Sequence, residues 1–447
     1  MNREVLEIGQ MLSEHPIISE SIAYKTDYVL ILEYFVIKYS LEDIWAQAVL
    51  HLYKEKLLGE KTGYEYENFE LKRRAKKVVK TKFRLFRPYT YRYCLIFDCM
   101  FICAPYDRAK GEAIFEELSS IYAKRYQSRS CQVFNYLYDS DVSVDGISKI
   151  QYMRECWGKN REFCSTAPMK ILVTANMSAG KSTLLNAIVG KRVNRTQSDA
   201  CTAKIHYIVN KPFEDGFCYE WDYLLELNAD EQTLMEDNDD NTSKSITVGT
   251  YFRTANGSLG RLWLIDTPGV NSSQDALHRQ ITEETIRSEN VDLLIYLLNG
   301  ENIGTEDDRK HLLFVAENYK GKVLFVVNKV DHFKKSEDSV SETIKAVVRD
   351  LTEIGFQEPK VVPISAYAGF LAKLCIFGER LDEDEQDEFD RLVRKLRKPE
   401  YQFDTYYPED VCKNVHVNAC DDEYALLLHS GILHLEKMIC LMKEMST

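Results

Sequence analysis

Long uninterrupted hydrophobic runs are missing from this 447-residue chain, although 45% of its residues are hydrophobic. No run approaches the ~18 consecutive apolar residues that a helix needs to cross a bilayer. Residues 1 to 5 also lack the basic start of a secretory signal. We therefore expect neither a membrane-spanning segment nor secretion, and the 28% of charged residues is ordinary for a soluble globular protein.

Paired cysteines are missing as well. The twelve cysteines form no C-x-x-C unit and no framework spacing, which predicts a reducing, cytoplasmic environment. Cys94, Cys99 and Cys103 cluster in an apolar segment without histidine, so core packing is a better interpretation than a metal site. The chain has no H-E-x-x-H or G-x-S-x-G motif, and a metalloprotease or serine-nucleophile activity has no support.

Basic residues are outnumbered, 57 against 70 acidic ones, for a net charge of −13. Such a charge makes nucleic acid an unlikely partner, because the phosphate backbone would repel the average surface. One segment, residues 72 to 87, departs from this balance and interleaves basic with apolar side chains. It predicts a solvated helix face, a peripheral site for anionic membrane or an acidic protein partner, or, least favoured, a nucleic-acid site. Its basic residues are Lys72, Arg73, Arg74, Lys76, Lys77, Lys80, Lys82, Arg84 and Arg87.

A phosphate-binding loop is indicated directly after the apolar run 171 to 173, where an amphipathic helix begins. In such a loop, backbone N–H groups surround the α- and β-phosphates, a lysine reaches the β/γ oxygens and a serine hydroxyl binds Mg²⁺. Gly180, Lys181 and Ser182 fit these roles, while Ala175 stands where the first glycine of the motif is usual. The predicted nucleotide-binding residues of the loop are Asn176, Met177, Ser178, Ala179, Gly180, Lys181, Ser182 and Thr183.

A second set of residues predicts the γ-phosphate and metal contacts. Asp266 ends an apolar run and would hold Mg²⁺ through water, and Gly269 follows with an N–H that can reach a γ-phosphate. Thr202, just before the apolar run 205 to 209, is the favoured switch threonine and a further Mg²⁺ ligand. Thr196 is the alternative.

A third set predicts the base. Asn328, Lys329 and Asp331 follow the apolar run 323 to 327. The carboxylate of Asp331 can accept from guanine N1–H and N2–H, a pair of donors that adenine lacks, and this disfavours an ATP-using enzyme. Ser365 and Ala366 follow another apolar run, and a backbone N–H there would meet guanine O6. The three sets together predict a protein that binds GTP with Mg²⁺.

Each of these motifs follows a β-type run in chain order, which predicts an α/β fold with a doubly wound, mostly parallel sheet. Residues 1 to 145 have helical periodicity with few glycines or prolines, and predict an all-α bundle. We expect a helical domain over 1–145 and a nucleotide-binding domain over 146–447, with flanking helices at about 146–161 and 432–445.

Two charged stretches interrupt the second domain. Residues 212 to 244 are acidic and predict a mobile surface excursion, in which a Ca²⁺ loop at 237 to 241 is disfavoured because the EF-hand glycine and glutamate are missing. Residues 378 to 423 carry acids followed by bases along one predicted helix, which predicts a solvated or partner-facing element.

Residues 147 to 446 resemble the dynamin superfamily of large GTPases, especially its bacterial members. The resemblance rests on the loop from Asn176 to Ala187, on Cys201 to Ala203 as a first switch, on the run 294 to 308 and on Ser430 to Ile432 before the closing helix. It implies a P-loop GTPase, an enzyme that hydrolyses GTP to GDP and phosphate.

The resemblance also implies a mechanism. Ras-class GTPases place a water-orienting glutamine directly after the Asp-x-x-Gly motif, where this chain has Val270. Dynamin-like proteins instead pair two GTPase domains across the nucleotides, so the resemblance implies a homodimer with Ser178 coordinating K⁺ or Na⁺. Ser178, Lys181 and Thr202 would then be the catalytic residues. Met177 stands where glutamine is usual in the family, and the alternative is a GTP-gated regulatory or assembly module with little hydrolysis.

Overall fold

The structure, a computed structural model, describes residues 8–59, 73, 91–122, 124–139, 144, 147–176, 178–193, 204–229, 245–255, 259–268, 276–334, 339–413, 415 and 421–444. The chain divides into two compact units. The first comprises Met1–Thr166 with Pro212–Tyr219 and Tyr223–Asn228, and the second comprises Ala167–Lys211, Glu220–Asp222 and Ala229–Thr447. The first segment of the first unit ends 21 residues beyond the boundary expected near residue 145.

The first unit is helical where it precedes residue 167, as the sequence predicts. Its helices are α1 (Gly9–Ser13), α2 (Ile22–Tyr39), α3 (Ile44–Leu58), α4 (Arg92–Cys103), α5 (Arg108–Ile121), α6 (Lys124–Tyr138) and α7 (Ser148–Ser165). A 3₁₀ turn at Pro16–Ser19 follows α1. Helix α7 is the predicted flanking helix. It clusters with the helical unit because Trp157 is buried against aromatic rings of that unit, including Phe97, whose ring centroid lies 5.6 Å from that of Trp157.

Helix α4 forms the centre of this unit. Every residue from 94 to 103 is buried, and the thiols of Cys94, Cys99 and Cys103 pack in the interior as expected. Asp98 is the one carboxylate in this stretch. It accepts hydrogen bonds from the hydroxyls of Tyr28 at 2.5 Å and Tyr53 at 2.7 Å, and lies 3.0 Å from Nε2 of His15. These three partners offset the cost of burying the charge.

The second unit contains most of a nine-stranded sheet with the order β4-β3-β5-β2-β6-β1-β7-β8-β9. Strands β1, β6, β7, β8 and β9 are mutually parallel, and β2 runs antiparallel to β6. This is the predicted mostly parallel, doubly wound type. The strands are β1 (Met169–Ala175), β2 (Ile205–Asn210), β3 (Cys218–Trp221), β4 (Leu225–Ala229), β5 (Ser245–Thr250), β6 (Leu262–Asp266), β7 (Leu293–Asn299), β8 (Lys322–Asn328) and β9 (Lys360–Pro363).

The helices of this unit follow the strands in sequence. They are α8 (Lys181–Val189), α9 (Ala276–Ser288), α10 (Glu306–Asn318), α11 (Val340–Ile354), α12 (Ala366–Ile376), α13 (Glu383–Leu396), α14 (Glu409–Lys413), α15 (Asp422–His429) and α16 (Ile432–Glu444), with 3₁₀ turns at Val330–His332, Pro399–Tyr401 and Asp404–Tyr406. Helix α16 is the predicted closing helix.

The register of the central strands decides where functional residues meet. Val173 of β1 pairs with Asp266, Ala175 pairs with Leu297, and Asn299 pairs with Asn328. The residues at the carboxyl ends of these buried, apolar strands therefore lie side by side at one edge of the sheet, where ligands bind in doubly wound folds.

Both charged stretches differ from expectation. Residues 212 to 244 are not simply a surface excursion, because β3 and β4 lie within them and extend the sheet. Helix α13, in the other stretch, begins with a complete capping box at Asp382 and Glu385. It buries an apolar face of Phe389, Leu392, Val393 and Leu396, so only its opposite face is solvated.

Several predictions from sequence fall on residues outside the described ranges. These are Met177, Thr196, Thr202, Gly269, Val270, residues 237 to 241, and all of residues 72 to 87 except Arg73.

Within the described residues, no single helix combines the length and apolarity needed to cross a membrane. The helices Asp422–His429 and Ile432–Glu444 meet those criteria only when counted together, with a bend of 59° between them.

Candidate functional site

The loop between β1 and α8 has the backbone that a phosphate cradle needs. Gly180 precedes α8 with φ of +85°, and Ser178 is also left-handed at +61°. A Cβ at Gly180 would lie 2.6 Å from Nδ2 of Asn328, so only glycine fits there. The first N–H groups of α8 are consequently free of side-chain caps and point to the loop, as in anion-binding helix termini.

Lys181 and Asp266 meet at this helix terminus. Lys181 is the first residue of α8 and Asp266 is the last of β6, and their Nζ and Oδ1 atoms are 2.5 Å apart. The two side chains are only 13% and 11% exposed. The structure therefore brings together the cation predicted for the β/γ-phosphates and the carboxylate predicted for Mg²⁺, with Ser182 next in the helix.

The donor set at this point fits Mg²⁺. A carboxylate and a hydroxyl are the hard oxygen ligands that this ion prefers, and it usually takes only one or two of them from the protein. Lys181 pairs directly with the carboxylate of Asp266 at the start of α8, which places that oxygen beside the hydroxyl-bearing Ser182.

Asn328, predicted as a nucleotide contact, links the phosphate loop to the predicted base turn. Its Nδ2 donates to the carbonyl of Ala179 at 2.9 Å, and its Oδ1 accepts from the N–H of Ala366 at 2.9 Å. Its own carbonyl accepts from Gly300. The side chain is 3% exposed and its hydrogen bonds fix three loops in one arrangement.

The N–H groups of the base turn are already engaged. Ser365 donates its N–H to the carbonyl of Ser430 at 2.8 Å, and Ala366 donates to Asn328. The side chain of Ser365 caps α12 by accepting from Ala368. A guanine O6 at this turn would share one of these donors, a constraint that the sequence did not reveal.

Asp331 lies in the 3₁₀ turn Val330–His332, next to the base turn. It is 2% exposed, and its Oδ2 makes no hydrogen bond within the described part of the chain. Two nitrogen-bearing side chains approach that oxygen: His332, with Nε2 at 3.3 Å, and Arg391 on α13, with its guanidinium at 3.9 Å. Burying a carboxylate oxygen without a hydrogen-bond donor costs free energy of folding. Such a group indicates a ligand that supplies the donor.

Lys329 precedes Asp331 in a left-handed conformation, with φ of +63°. Its Nζ is 3.1 Å from Glu301, which also lies 2.8 Å from Nδ1 of His332. The hydrogen bond with His332 and the charge of Lys329 lower the pKa of Glu301 and keep it ionised. Glu301 thus positions Lys329 of the base motif and His332, the residue after Asp331.

Asn176 and Ser178 are held by residues that sequence reasoning did not assign to the site. The amide of Asn176 donates to Asp308, near the start of α10, and Asn299 donates to the carbonyl of Ser178 at 3.3 Å. Burial raises the pKa of Asp308. The acidic helix start at 306 to 308 was visible in the sequence, but its contact with the phosphate loop depends on strand register.

The fold and this site together define a P-loop nucleotide-binding protein of the GTPase class. The Dynamin family model matches residues 171–330, which span the phosphate loop, Asp266 and most of the base motif. Residues 171–330 are therefore similar to the Dynamin family, and a helical unit precedes them in the chain.

Several curated proteins similar to this chain are named as GTPases. The chain is 24% identical over 208 residues to a probable transmembrane GTPase, FZO-like, of Arabidopsis thaliana, covering 46% of this chain and 20% of that protein. It is 24% identical over 247 residues to GTPase Era of Clostridium beijerinckii, covering 55% and 59%. It is 27% identical over 215 residues to mitofusin FZO1 of Saccharomyces cerevisiae, covering 41% and 24%. The chain thus spans between a fifth and three-fifths of these relatives.

Solved structures are more distant. A bacterial dynamin pair described as sensing and tethering membranes has a TM-score of 0.34 at 15% identity, covering 61% of this chain and 43% of that one. Toc33 of Arabidopsis thaliana, in complex with Mg²⁺ and GMPPNP, has a TM-score of 0.30 at 13% identity, covering 50% and 80%.

Proposed function

We propose that this protein binds GTP with Mg²⁺ and hydrolyses it to GDP and phosphate. The observation that carries the proposal is the buried carboxylate of Asp331, whose Oδ2 makes no hydrogen bond among the described residues. Guanine offers two parallel N–H donors for such a group, and adenine offers none at those positions. Competition of GTP, GDP and ATP for a fluorescent guanine nucleotide tests the proposal, and equal competition by ATP would overturn it.

Individual residues have distinct tasks in this proposal. The left-handed turn at Gly180 and the start of α8 direct backbone N–H groups at the phosphates. Lys181, which pairs with Asp266, would contact the β/γ oxygens, and Asp266 and Ser182 would hold the metal. Mg²⁺, when bound, neutralises charge that develops on the phosphate oxygens. Thr202 is proposed as a further metal ligand on the basis of the sequence alone.

Hydrolysis is proposed to need a second copy of the chain. Val270, beside the Asp-x-x-Gly motif, has no group that could orient the attacking water. Ser178 is exposed, while its carbonyl accepts from Asn299 and the carbonyl of Ala179 accepts from Asn328, so the backbone around it is held. An exposed hydroxyl at this position is available to a monovalent cation, K⁺ or Na⁺, completed by the facing copy.

We expect the rate per molecule to rise with protein concentration, because only nucleotide-bound dimers complete the site. Ser178→Ala should lower kcat by about tenfold or more and leave the Kd for GTP nearly unchanged, since cation placement acts in the transition state. The carbonyl of Ser178 that accepts from Asn299 is retained in this variant. Turnover is measured over a hundredfold dilution series in K⁺, Na⁺ and choline salts. A flat rate, with Ser178→Ala fully active, would contradict the dimer mechanism.

A second candidate function is a GTP-gated regulatory or assembly module with little hydrolysis. Val270 and Met177 favour it, because the usual water-positioning groups of both Ras-class and dynamin-like proteins are missing at these positions. Tight GTP binding without turnover at any protein concentration would support this alternative over the first.

Docking to an anionic membrane is proposed for residues 72 to 87. Each basic residue near such a surface contributes up to ~1 kcal/mol at moderate salt. Reversing Lys76, Lys77 and Lys80 to glutamate should abolish sedimentation with phosphatidylserine vesicles, whereas the parent protein should sediment and be released by high salt. If the parent protein stays in the supernatant at low salt, the segment serves a protein interface or a solvated surface instead.

A further inference from the structure

A cluster of three different metal-ligating side chains lies away from the nucleotide site, in the C-terminal part of the second unit. Asp404 belongs to the 3₁₀ turn Asp404–Tyr406, Cys412 to α14 and His434 to α16. One ligand atom from each lies within 4.8 Å of the others. Nε2 of His434 is 3.0 Å from Oδ1 of Asp404, and Sγ of Cys412 is 3.4 Å from the carbonyl oxygen of Asp404.

The surroundings of the cluster are those of a ligand site rather than of a simple ion pair. The side chain of His434 is 3% exposed, and its Nδ1 is buried without a hydrogen bond in the described ranges. A second imidazole, that of His429 at the end of α15, also has a buried Nδ1 with no such bond. Asp404 is 67% exposed, so its carboxylate is open to solvent.

We propose that Asp404, Cys412 and His434 bind a divalent cation of the zinc class. Sulfur, imidazole nitrogen and carboxylate oxygen form a mixed set that Zn²⁺ accepts, and such a set disfavours Mg²⁺ and Ca²⁺, which take oxygen ligands. Water or one further residue completes the usual four ligands, and His429 is the further imidazole in this region. Binding releases the thiol proton of Cys412 to solvent, because the thiolate is the ligand.

The bound ion would connect the C-terminal segment to the base turn. The ring of Tyr407 lies 4.9 Å from that of His434. The hydroxyl of Tyr407 is 3.1 Å from the carbonyl of Pro363 and 3.2 Å from that of Gly431. Pro363 ends β9, two residues before Ser365. A cation that joins a turn, α14 and α16 would therefore restrain the segment that supports the base turn.

Cobalt provides a direct test, because Co²⁺ replaces Zn²⁺ in tetrahedral sites and is coloured. The full chain, treated with chelator and a phosphine reductant and without nucleotide, is titrated with Co²⁺. We expect a thiolate-to-cobalt charge-transfer band in the near ultraviolet, loss of the band on adding one equivalent of Zn²⁺, and no effect of excess Mg²⁺.

Substitutions identify the ligands. Cys412→Ser should remove the charge-transfer band, and Asp404→Asn, at an exposed position, should weaken Zn²⁺ at least about tenfold. Cys375→Ser and Cys440→Ser are the matched controls, since these thiols are also half-buried in the same unit. Zn²⁺ should raise the melting temperature of the parent and of both controls but not of Cys412→Ser. Absence of the band in the parent, or its persistence in Cys412→Ser, would overturn the proposal.

This test is independent of GTP binding. A protein that binds Zn²⁺ but not GTP would retain the metal site and refute the proposed function. A protein that binds GTP but not Zn²⁺ would retain the proposed function and refute the metal site.

Discussion

Replacing Asp331 with asparagine is expected to weaken GTP and GDP binding by about 2 to 5 kcal/mol, the usual cost of breaking a buried, charge-assisted pair. That is a factor of roughly 30 to several thousand in Kd. The amide offers a donor where the carboxylate offered an acceptor, so guanine N1–H or N2–H would face an N–H group. Because Asp331 is 2% exposed, no water can compensate for the lost pairing.

The same substitution should create a preference for xanthine nucleotides, since xanthine has a carbonyl where guanine has its amino group. Calorimetry with GDP and xanthosine diphosphate measures both effects. Asp350→Asn, on the surface of α11, is the matched control and should change neither affinity. Thermal unfolding should show a folded Asp331→Asn protein, and unchanged GDP affinity in that protein would exclude Asp331 from the base site.

Substitution of Arg391, which lies near Asp331, gives a second test of the base site. A guanidinium presents the same pair of N–H donors as the guanine edge, and Arg391 lies 3.9 Å from the oxygen that guanine would contact. Glu388 holds it through two hydrogen bonds, which keeps it on that side of α13. Arg391 therefore competes with the base for Asp331. Arg391→Ala should raise the affinity for GDP, whereas Arg394→Ala, one turn away, should leave it unchanged.

Replacing Lys181 with alanine is expected to lower the rate of GTP hydrolysis on the order of 10²-fold or more and to weaken GTP binding. The lysine supplies a charge at the oxygens that become more negative in the transition state, and no other side chain of the loop carries one. Ser182→Asn should act differently, by weakening the Mg²⁺-bound GTP state more than GDP.

Lys191→Ala is the control for charge, because Lys191 follows the same helix but donates to Thr250. Phosphate release is measured under single-turnover conditions, and nucleotide affinity is measured separately by displacement. Hydrolysis by Lys181→Ala at the parent rate would show that the loop does not hold the phosphates.

The sequence determined the class of fold because the patterns that predict its strands, turns and helix starts are local. Uninterrupted apolar runs such as 293 to 299 are long enough for buried strands and too short for membrane helices, and each ends at a polar motif. Gly180 and the capping box of α13 shape the backbone only of the residues next to them, at the start of a helix. The resemblance to the dynamin superfamily followed from such short motifs in order, and the Dynamin family model matches residues 171–330.

The tertiary structure alone decided how these motifs connect. Asn328 contacts Ala179 and Ala366, residues far from it in sequence, because parallel strands place their carboxyl ends at one edge. The approach of Arg391 to Asp331 depends on how the apolar face of α13 packs. The contacts of Asp404 with Cys412 and His434 depend in the same way on three separate elements.

The prediction of a surface excursion at residues 212 to 244 was incomplete for a related reason. Residues 218 to 229 form β3 and β4 although the region is rich in acids, because neighbouring strands satisfy the backbone hydrogen bonds. Local composition determined which residues carry chemistry and which runs become strands. Strand register and helix packing, which depend on contacts between distant residues, determined which of those residues face one another.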